Sequence, residues 1–181
     1  MNMGNSPKIY FISGVSGVGK SSVIKHLRAL LPGSMYDIRD FDERGVPDGG
    51  GHEWHNKETF YWLEIAAKNA RLGKSTVVCG FVEPERFWKV YNKEKHPHAQ
   101  LVLLHATNDI IKKRLLGRYQ TPESIKEINR AAGVPLDKFV EDILTAAPWL
   151  YDIFKKEGAP IIDMENKTPE EVAQEIVNLL S

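Results

Sequence analysis

Gly14-Val15-Ser16-Gly17-Val18-Gly19-Lys20-Ser21, in one-letter form GVSGVGKS, is the stretch that decides the fold of this 181-residue chain. It satisfies G-x-x-x-x-G-K-[ST] in full and directly follows the apolar run Ile9-Tyr10-Phe11-Ile12. A strand is therefore expected before it and a helix after it, the context in which such a loop grips phosphates. Its glycines let the backbone wrap closely, so that successive N–H groups of Gly14–Gly19 point into an anion-binding nest. The helix that follows adds the positive end of its dipole. Gly14, Val15, Ser16, Gly17, Val18, Gly19, Lys20, Ser21 and Ser22 are the candidate binding segment for an ATP-like triphosphate. Lys20 is expected to reach the β- and γ-phosphates, and the Ser21 hydroxyl to ligate Mg²⁺.

Outward from the loop, short apolar runs alternate with longer helical patterns, as βαβ units around a parallel sheet require. Strands are expected at Lys8–Ser13, Ser34–Ile38, Ser75–Gly80, Gln100–Ala106 and Ala159–Asp163. Helices are expected at Ser21–Leu31, stopped by Pro32-Gly33, and at Trp54–Leu72, stopped by Gly73. Another opens at Asn108 or Asp109, and another at Thr121-Pro122. Asp137–Ala146 and Trp149–Lys156 are expected to flank Pro148. Thr168-Pro169-Glu170-Glu171 is a capping box that opens a last helix to Leu180. His96-Pro97-His98 reads as a surface turn before the fourth strand.

The length suits one domain, residues 1–181. Lys plus Arg and Asp plus Glu are 24 each, for a formal net charge of zero. With no basic excess, nucleic acid is not an expected partner. An anionic ligand must instead be held by locally placed cations and backbone N–H groups. Cys79 is the only cysteine, so neither a disulfide nor a CxxC metal site is expected, which fits a cytoplasmic setting. The start, Met1–Lys8, lacks the apolar region of a signal peptide, and Gly4 is misplaced for myristoylation. No apolar run approaches the roughly 20 residues of a membrane span. The expected state is a monomer or a homodimer.

Asp40 and Asp42 form a D-x-D just past the second strand. At alternate positions of an extended segment the two carboxylates point the same way. Beside a phosphate loop such a pair can anchor a Mg²⁺-bound water, orient an acceptor hydroxyl or take its proton. The pair is assigned these roles jointly. Arg114 and Arg118, in Arg114-Leu115-Leu116-Gly117-Arg118, sit one helical turn apart on one face.

GVSGVGKS, the strand-end Asp40-Phe41-Asp42, the Val77-Val78-Cys79-Gly80-Phe81 run, Arg114–Arg118 and the Pro160–Ile176 segment together resemble the P-loop nucleotide-kinase family. That family includes adenylate, shikimate and gluconate kinases and antibiotic phosphotransferases. The resemblance spans nearly the whole chain, with the phosphate loop as its specific part. It implies an α/β three-layer P-loop kinase fold, with a five-stranded parallel sheet flanked by helices. It also implies an acceptor-binding insert (residues 41–74) and a mobile lid (residues 114–148). By that similarity Arg114 would stack on adenine, Arg118 would contact phosphates, and the loop holding Asp163, Asn166 and Lys167 would border the adenine. Two departures stand out. Adenylate kinases carry D-G-F-P-R where this chain has Cys79-Gly80-Phe81-Val82-Glu83-Pro84-Glu85-Arg86, so an acid that organises Mg²⁺ is expected from Asp40 or Asp42. Arg86 is still expected to meet the acceptor, although displaced by two residues, and Cys79 reads as a small buried hydrophobe. The lid, moreover, has only Arg130 as a further arginine, which suggests an acceptor of low phosphate charge.

His52, Trp54, His55 and Lys57, at the expected loop-to-helix junction, are candidate acceptor contacts together with Asp42 and Arg86. His52 and His55 lack a third ligand for a metal. The expected activity is phosphoryl transfer from ATP to a small metabolite or nucleoside-like acceptor. Lys20, Asp40, Asp42, Arg114 and Arg118 would be catalytic, and Ser21 and Asp40 would serve the metal. Two alternatives remain at this point: a nucleoside-monophosphate kinase, or a nucleotide switch without an acceptor. Glu165-Asn166-Lys167-Thr168 lacks the aspartate of a GTPase-type NKxD motif.

Overall fold

The computed structural model describes residues 6–180; the readings at Gly4 and at the first five residues lie outside them. The central sheet has five strands, all parallel, in the order β2-β3-β1-β4-β5. These are β1 Lys8–Ser13, β2 Tyr36–Asp40, β3 Ser75–Gly80, β4 His98–His105 and β5 Ile161–Asp163. The helices are α1 Lys20–Leu30, α2 His52–Arg71, α3 Pro84–Val90, α4 Asn108–Arg118, α5 Pro122–Ala132, α6 Leu136–Lys156 and α7 Pro169–Leu180. β1 and β3 are buried from their second residue onward, as strands covered on both faces are. The carboxyl ends of β1, β2 and β3 align through the pairs Ser13–Gly80 and Asp40–Cys79. Ligands of open α/β sheets bind outside this edge.

Several boundaries differ from expectation, each for a local reason. β2 starts at Tyr36 because Met35 and Tyr36 still donate their N–H groups back to Pro32 in a turn. It then runs on to Asp40, so the first aspartate ends the strand. Asp42 lies in the following turn, not on a shared extended segment. β4 starts at His98, paired with Lys8. His96 is buried, not part of a surface turn: its Nδ1 accepts from the Asn92 N–H, and Phe60 and Tyr91 flank its ring. α3 is a helix that was not expected, although Pro84 at its first position was a usable signal. Thr107, not Asn108 or Asp109, takes the N-cap position of α4.

The largest difference is that α6 is one helix running through Pro148. Proline lacks the N–H that would bond the carbonyl four residues back, and this frees Leu144 O. Asn108 Nδ2 donates to that carbonyl at 3.0 Å, so the orphaned acceptor is satisfied from α4. Val140, Ala147, Leu150 and Phe154 bury one stripe on both sides of the proline and hold the helix together. The capping box at Thr168 is present as read, with Thr168 N–H on Glu171 Oε2 at 2.7 Å and Glu171 N–H on Thr168 Oγ1 at 3.2 Å.

Gly80 ends β3 where Phe41 crosses it. A Cβ there would lie 2.1 Å from Phe41 Cβ and 2.6 Å from its Cγ. Phe41 is itself fully buried, and its N–H bonds Cys79 O at 2.8 Å, so it has nowhere to move. Gly80→Ala is expected to cost about 1–3 kcal/mol through overpacking. At roughly 2–4 °C per kcal/mol for a chain of this size, thermal unfolding should shift down by several degrees. An unchanged melting temperature would show that the backbone at Phe41 yields to the added methyl group.

Candidate functional site

The phosphate loop joins β1 to α1. Two of its glycines hold positive φ, 82° at Gly17 and 120° at Gly19, where a side chain would be strained. Space is also closed at both. A Cβ on Gly17 would meet Leu115 Cγ at 2.9 Å, and one on Gly19 would meet Met164 Cε at 2.9 Å. The loop is thus pressed between α4 and the residue following β5. Val15 and Val18 are buried beneath it, so they and Gly14 can offer a ligand backbone groups only. Gly19 makes no side-chain cap and the first turn of α1 has no acidic residue. The positive end of that helix therefore has no local anionic counterpart.

Lys20 Nζ donates to Gly14 O at 2.7 Å and Val15 O at 3.0 Å. Burial disfavours its charge and lowers its pKa to about 8, against the opposing pull of Asp42 and Asp40. A cavity of about 280 Å³ opens beside it, lined by Lys20, Ser21, Asp40, Asp42, Glu43 and Arg118 together with loop backbone. The two aspartates converge here through a turn: the Asp42 N–H donates to Asp40 Oδ1 at 3.1 Å. Asp42 is exposed, yet partial desolvation of its carboxyl raises its pKa, the Asp40 charge adds to this, and Lys20 opposes it. Cys79, opposite Asp40 in the sheet, is fully buried, and desolvation raises its thiol to about 12. It is an inert part of the core, not a nucleophile.

On the other side of the loop, Arg114 Nη1 donates to Val18 O. Arg114 and Arg118 line a second cavity of about 290 Å³ with Ser22, Met164, Lys167 and Pro169. Arg118 borders both cavities. Asp163 does not line this second cavity, and its Oδ1 accepts the Glu165 N–H at 2.8 Å.

Of the residues expected to meet an acceptor, Asp42 lines the Lys20 cavity, and His52, Trp54, His55, Lys57 and Arg86 do not. His52 is exposed, and Lys57 is spread on the outer face of α2 in an ion pair with Glu53 at 2.7 Å. Trp54 packs edge-on against Phe41 at 5.7 Å, and His55 stacks on Phe41 at 5.6 Å. Burial lowers the His55 pKa, the nearby Glu83 opposing it. His55 and Arg86 instead share a small cleft with Asn56, Thr59, Phe81 and Glu83, in which Arg86 Nε donates to Glu83 at 2.7 Å. Two further groups escaped sequence reasoning. Glu58 is buried on α2, and Arg44 Nη1 donates to its Oε2 at 3.2 Å, with the guanidinium 3.7 Å from the Tyr61 ring centre. A signal for Glu58 existed, since it lies four residues from both Trp54 and Trp62 on one helix face.

Among the described residues no group of three or more His, Cys, Asp or Glu side chains is arranged to hold a metal. The Ser21 hydroxyl and the Asp40 carboxylate in one cavity are hard oxygen donors. They suit a Mg²⁺ whose remaining ligands are phosphate oxygens and water. No helix of the described residues is long and apolar enough to cross a membrane.

No protein-family model matches the chain. A relative from Pyrococcus furiosus named "Putative adenylate kinase" is 29% identical over 176 residues, covering 96% of this chain and 84% of the relative. Among solved structures, a shikimate kinase from Acinetobacter baumannii in complex with shikimate aligns with a TM-score of 0.58 at 18% identity, over 98% of this chain and 94% of that one. A gluconokinase from Sinorhizobium meliloti aligns with a TM-score of 0.52 at 19% identity, over 96% and 91% of the two chains. The structural likenesses carry the P-loop kinase fold, and the relative's name and the complete phosphate loop agree with it.

Proposed function

We propose that this P-loop kinase transfers the γ-phosphoryl group of ATP to a hydroxyl of a small metabolite or nucleoside-like acceptor. One observation carries the reading: Lys20, Ser21, Asp40, Asp42 and Arg118 line a single cavity at the uncapped start of α1. Phosphoryl transfer asks little covalent chemistry of a protein and depends on positioning and charge. Backbone N–H groups of residues 14–19 and the start of α1 hold the phosphates. Lys20 gives up its loop carbonyls to meet the β- and γ-phosphates. Ser21 and Asp40 would hold Mg²⁺, which supplies neutralisation of phosphate charge when bound. Asp42 orients the acceptor hydroxyl and takes its proton, and Arg118 meets the charge that moves between phosphates. Arg114, Met164 and Lys167 form the walls for the base of the nucleotide. Residues 114–148 supply the lid that excludes water and suppresses hydrolysis. Positions 52, 54, 55, 57 and 86 belong to the acceptor side only if that side rearranges on binding.

The name of the Pyrococcus relative favours a second reading, a nucleoside-monophosphate kinase. Against it, Arg118 is the one arginine, among the described residues, that lines the cavity with Asp42. ATP-consumption assays across nucleosides, nucleoside monophosphates, sugars and aminoglycoside- or phenicol-type compounds separate the two. ATP use that no acceptor accelerates would refute both.

The pH dependence has a defined shape. The reaction needs Lys20 charged and Asp42 ionised. Lys20 in the free protein has a lowered pKa of about 8, so its charge is complete below that pH and lost above it. The Asp42 pKa is raised, so its ionised form is lost on the acid side earlier than for an ordinary carboxylate. The expected kcat/KM for ATP is bell-shaped, with an alkaline limb near pH 8, because this ratio reports the free enzyme. Activity that stays level to the normal lysine range would overturn the Lys20 part.

A further inference from the structure

Six of the eight arginines of this chain bear on the two sides of the site, Arg28 and Arg71 standing apart, and the six fall into two groups. Those on the nucleotide side are not paired with carboxylates: Arg114 bonds the Val18 carbonyl, and Arg118 faces the Lys20 cavity. Those around the insert and the loop after β3 are each matched to an acid. Arg44 is held by the buried Glu58, Arg86 by Glu83, and Arg39 by Asp37 and Glu43. Arg130, the further arginine of the lid, is held by Asp48 in the insert, where the Gly49 N–H also reaches Ala131 O at 3.2 Å. Lys57 is matched by Glu53, and burial works against the charged form of His55.

Any acceptor must therefore enter beside bound triphosphate and the Asp40–Asp42 pair, where the cations among the lining residues are Lys20 and Arg118, both given to the triphosphate in the reading above. An anionic acceptor would have to draw Arg44 away from Glu58, whose side chain is 7% exposed, and leave that carboxylate buried without a partner. From this pairing, and resting on the kinase reading above, we infer that the acceptor carries neither a phosphate nor a carboxylate. It is a hydroxyl compound that is uncharged or bears an amino group. When the insert side rearranges on binding, as the reading above requires, the groups that it brings are neutral: the Trp54, His55 and Phe81 rings, the Asn56 amide and the Thr59 hydroxyl. Paired arginines remain useful there, because an ion pair with its partner fixed can donate hydrogen bonds to hydroxyls without attracting anions.

The test is calorimetric and does not depend on knowing the acceptor. The full chain is first saturated with a non-hydrolysable ATP analogue and Mg²⁺, and then titrated separately with AMP, D-gluconate and shikimate. Wild-type protein is expected to bind all three more weakly than about 1 mM. The double variant Glu58→Gln/Glu83→Gln, which releases Arg44 and Arg86 from charge compensation, is expected to bind at least one of them about tenfold more tightly. Tighter binding of any of the three to wild-type protein overturns the inference, and so does a folded double variant with no gain. If the double variant does not fold, the single variants and the wild-type titration still decide. The first step reads the kinase assignment separately: a chain that fails to bind the analogue removes that assignment and this inference with it. Anion binding to the analogue-loaded chain removes the inference alone.

Discussion

Lys20→Ala is expected to lower phosphoryl transfer by about 10²–10³-fold, the usual cost of removing one preorganised group that meets transition-state charge. The argument rests on how Lys20 is held. Its ammonium is folded onto Gly14 O and Val15 O inside the loop, and desolvation there lowers its pKa to about 8. A partly buried cation gains more from an arriving phosphate than a fully exposed one would. The same desolvation makes Lys20 a poor contributor to stability, so the alanine variant should fold with nearly wild-type thermal unfolding. The alkaline limb of the pH profile should vanish with it. Arginine should not restore activity, because its planar fork cannot occupy the position of a compact ammonium between two carbonyls. A coupled ATP–ADP assay with circular dichroism on the same sample checks all of this. A folded variant with undiminished turnover would refute the assignment.

Much of this arrangement could be read before any coordinates. Strand and helix periodicity around GVSGVGKS carried the sheet, because parallel strands buried on both faces leave long apolar runs. The proposed nucleotide half of the site was legible because its parts are local: a loop, the turn of helix after it, and two arginines spaced four apart on α4. The acceptor half was not, because it is built from contacts between distant segments. Arg44 and Glu58 are fourteen residues apart, and Arg130 and Asp48 eighty-two. A sequence shows each as a solvated charge, and only folding reveals them as matched pairs. Pro148 misled in the opposite direction. The rule that proline stops a helix is a rule about an unpaired carbonyl, and Asn108, from another helix, supplies the donor that lifts it.

Asp42→Asn is expected to reduce transfer by about 10²–10⁴-fold, the range for loss of a positioned general base, while ATP affinity changes little. The substitution is a clean one. The bond that shapes the turn runs from the Asp42 backbone N–H to Asp40 Oδ1, and asparagine keeps it. What disappears is the carboxylate at the cavity wall and its ability to take a proton. Two side effects give independent readouts. The acid limb of the pH profile should flatten, since the raised Asp42 ionisation no longer limits the rate. The alkaline limb should also move below about pH 8, because Asp42 is the largest charge supporting the protonated form of Lys20. Asp40→Asn should behave differently. Asp40 is the carboxylate proposed for the metal, and its loss should weaken Mg²⁺-dependent ATP binding and turnover together. Titration of an ATP analogue with and without Mg²⁺, alongside steady-state kinetics, distinguishes the two aspartates. If Asp42→Asn weakens nucleotide binding and transfer by equal factors, Asp42 serves the nucleotide, and the base must be sought elsewhere on the cavity wall.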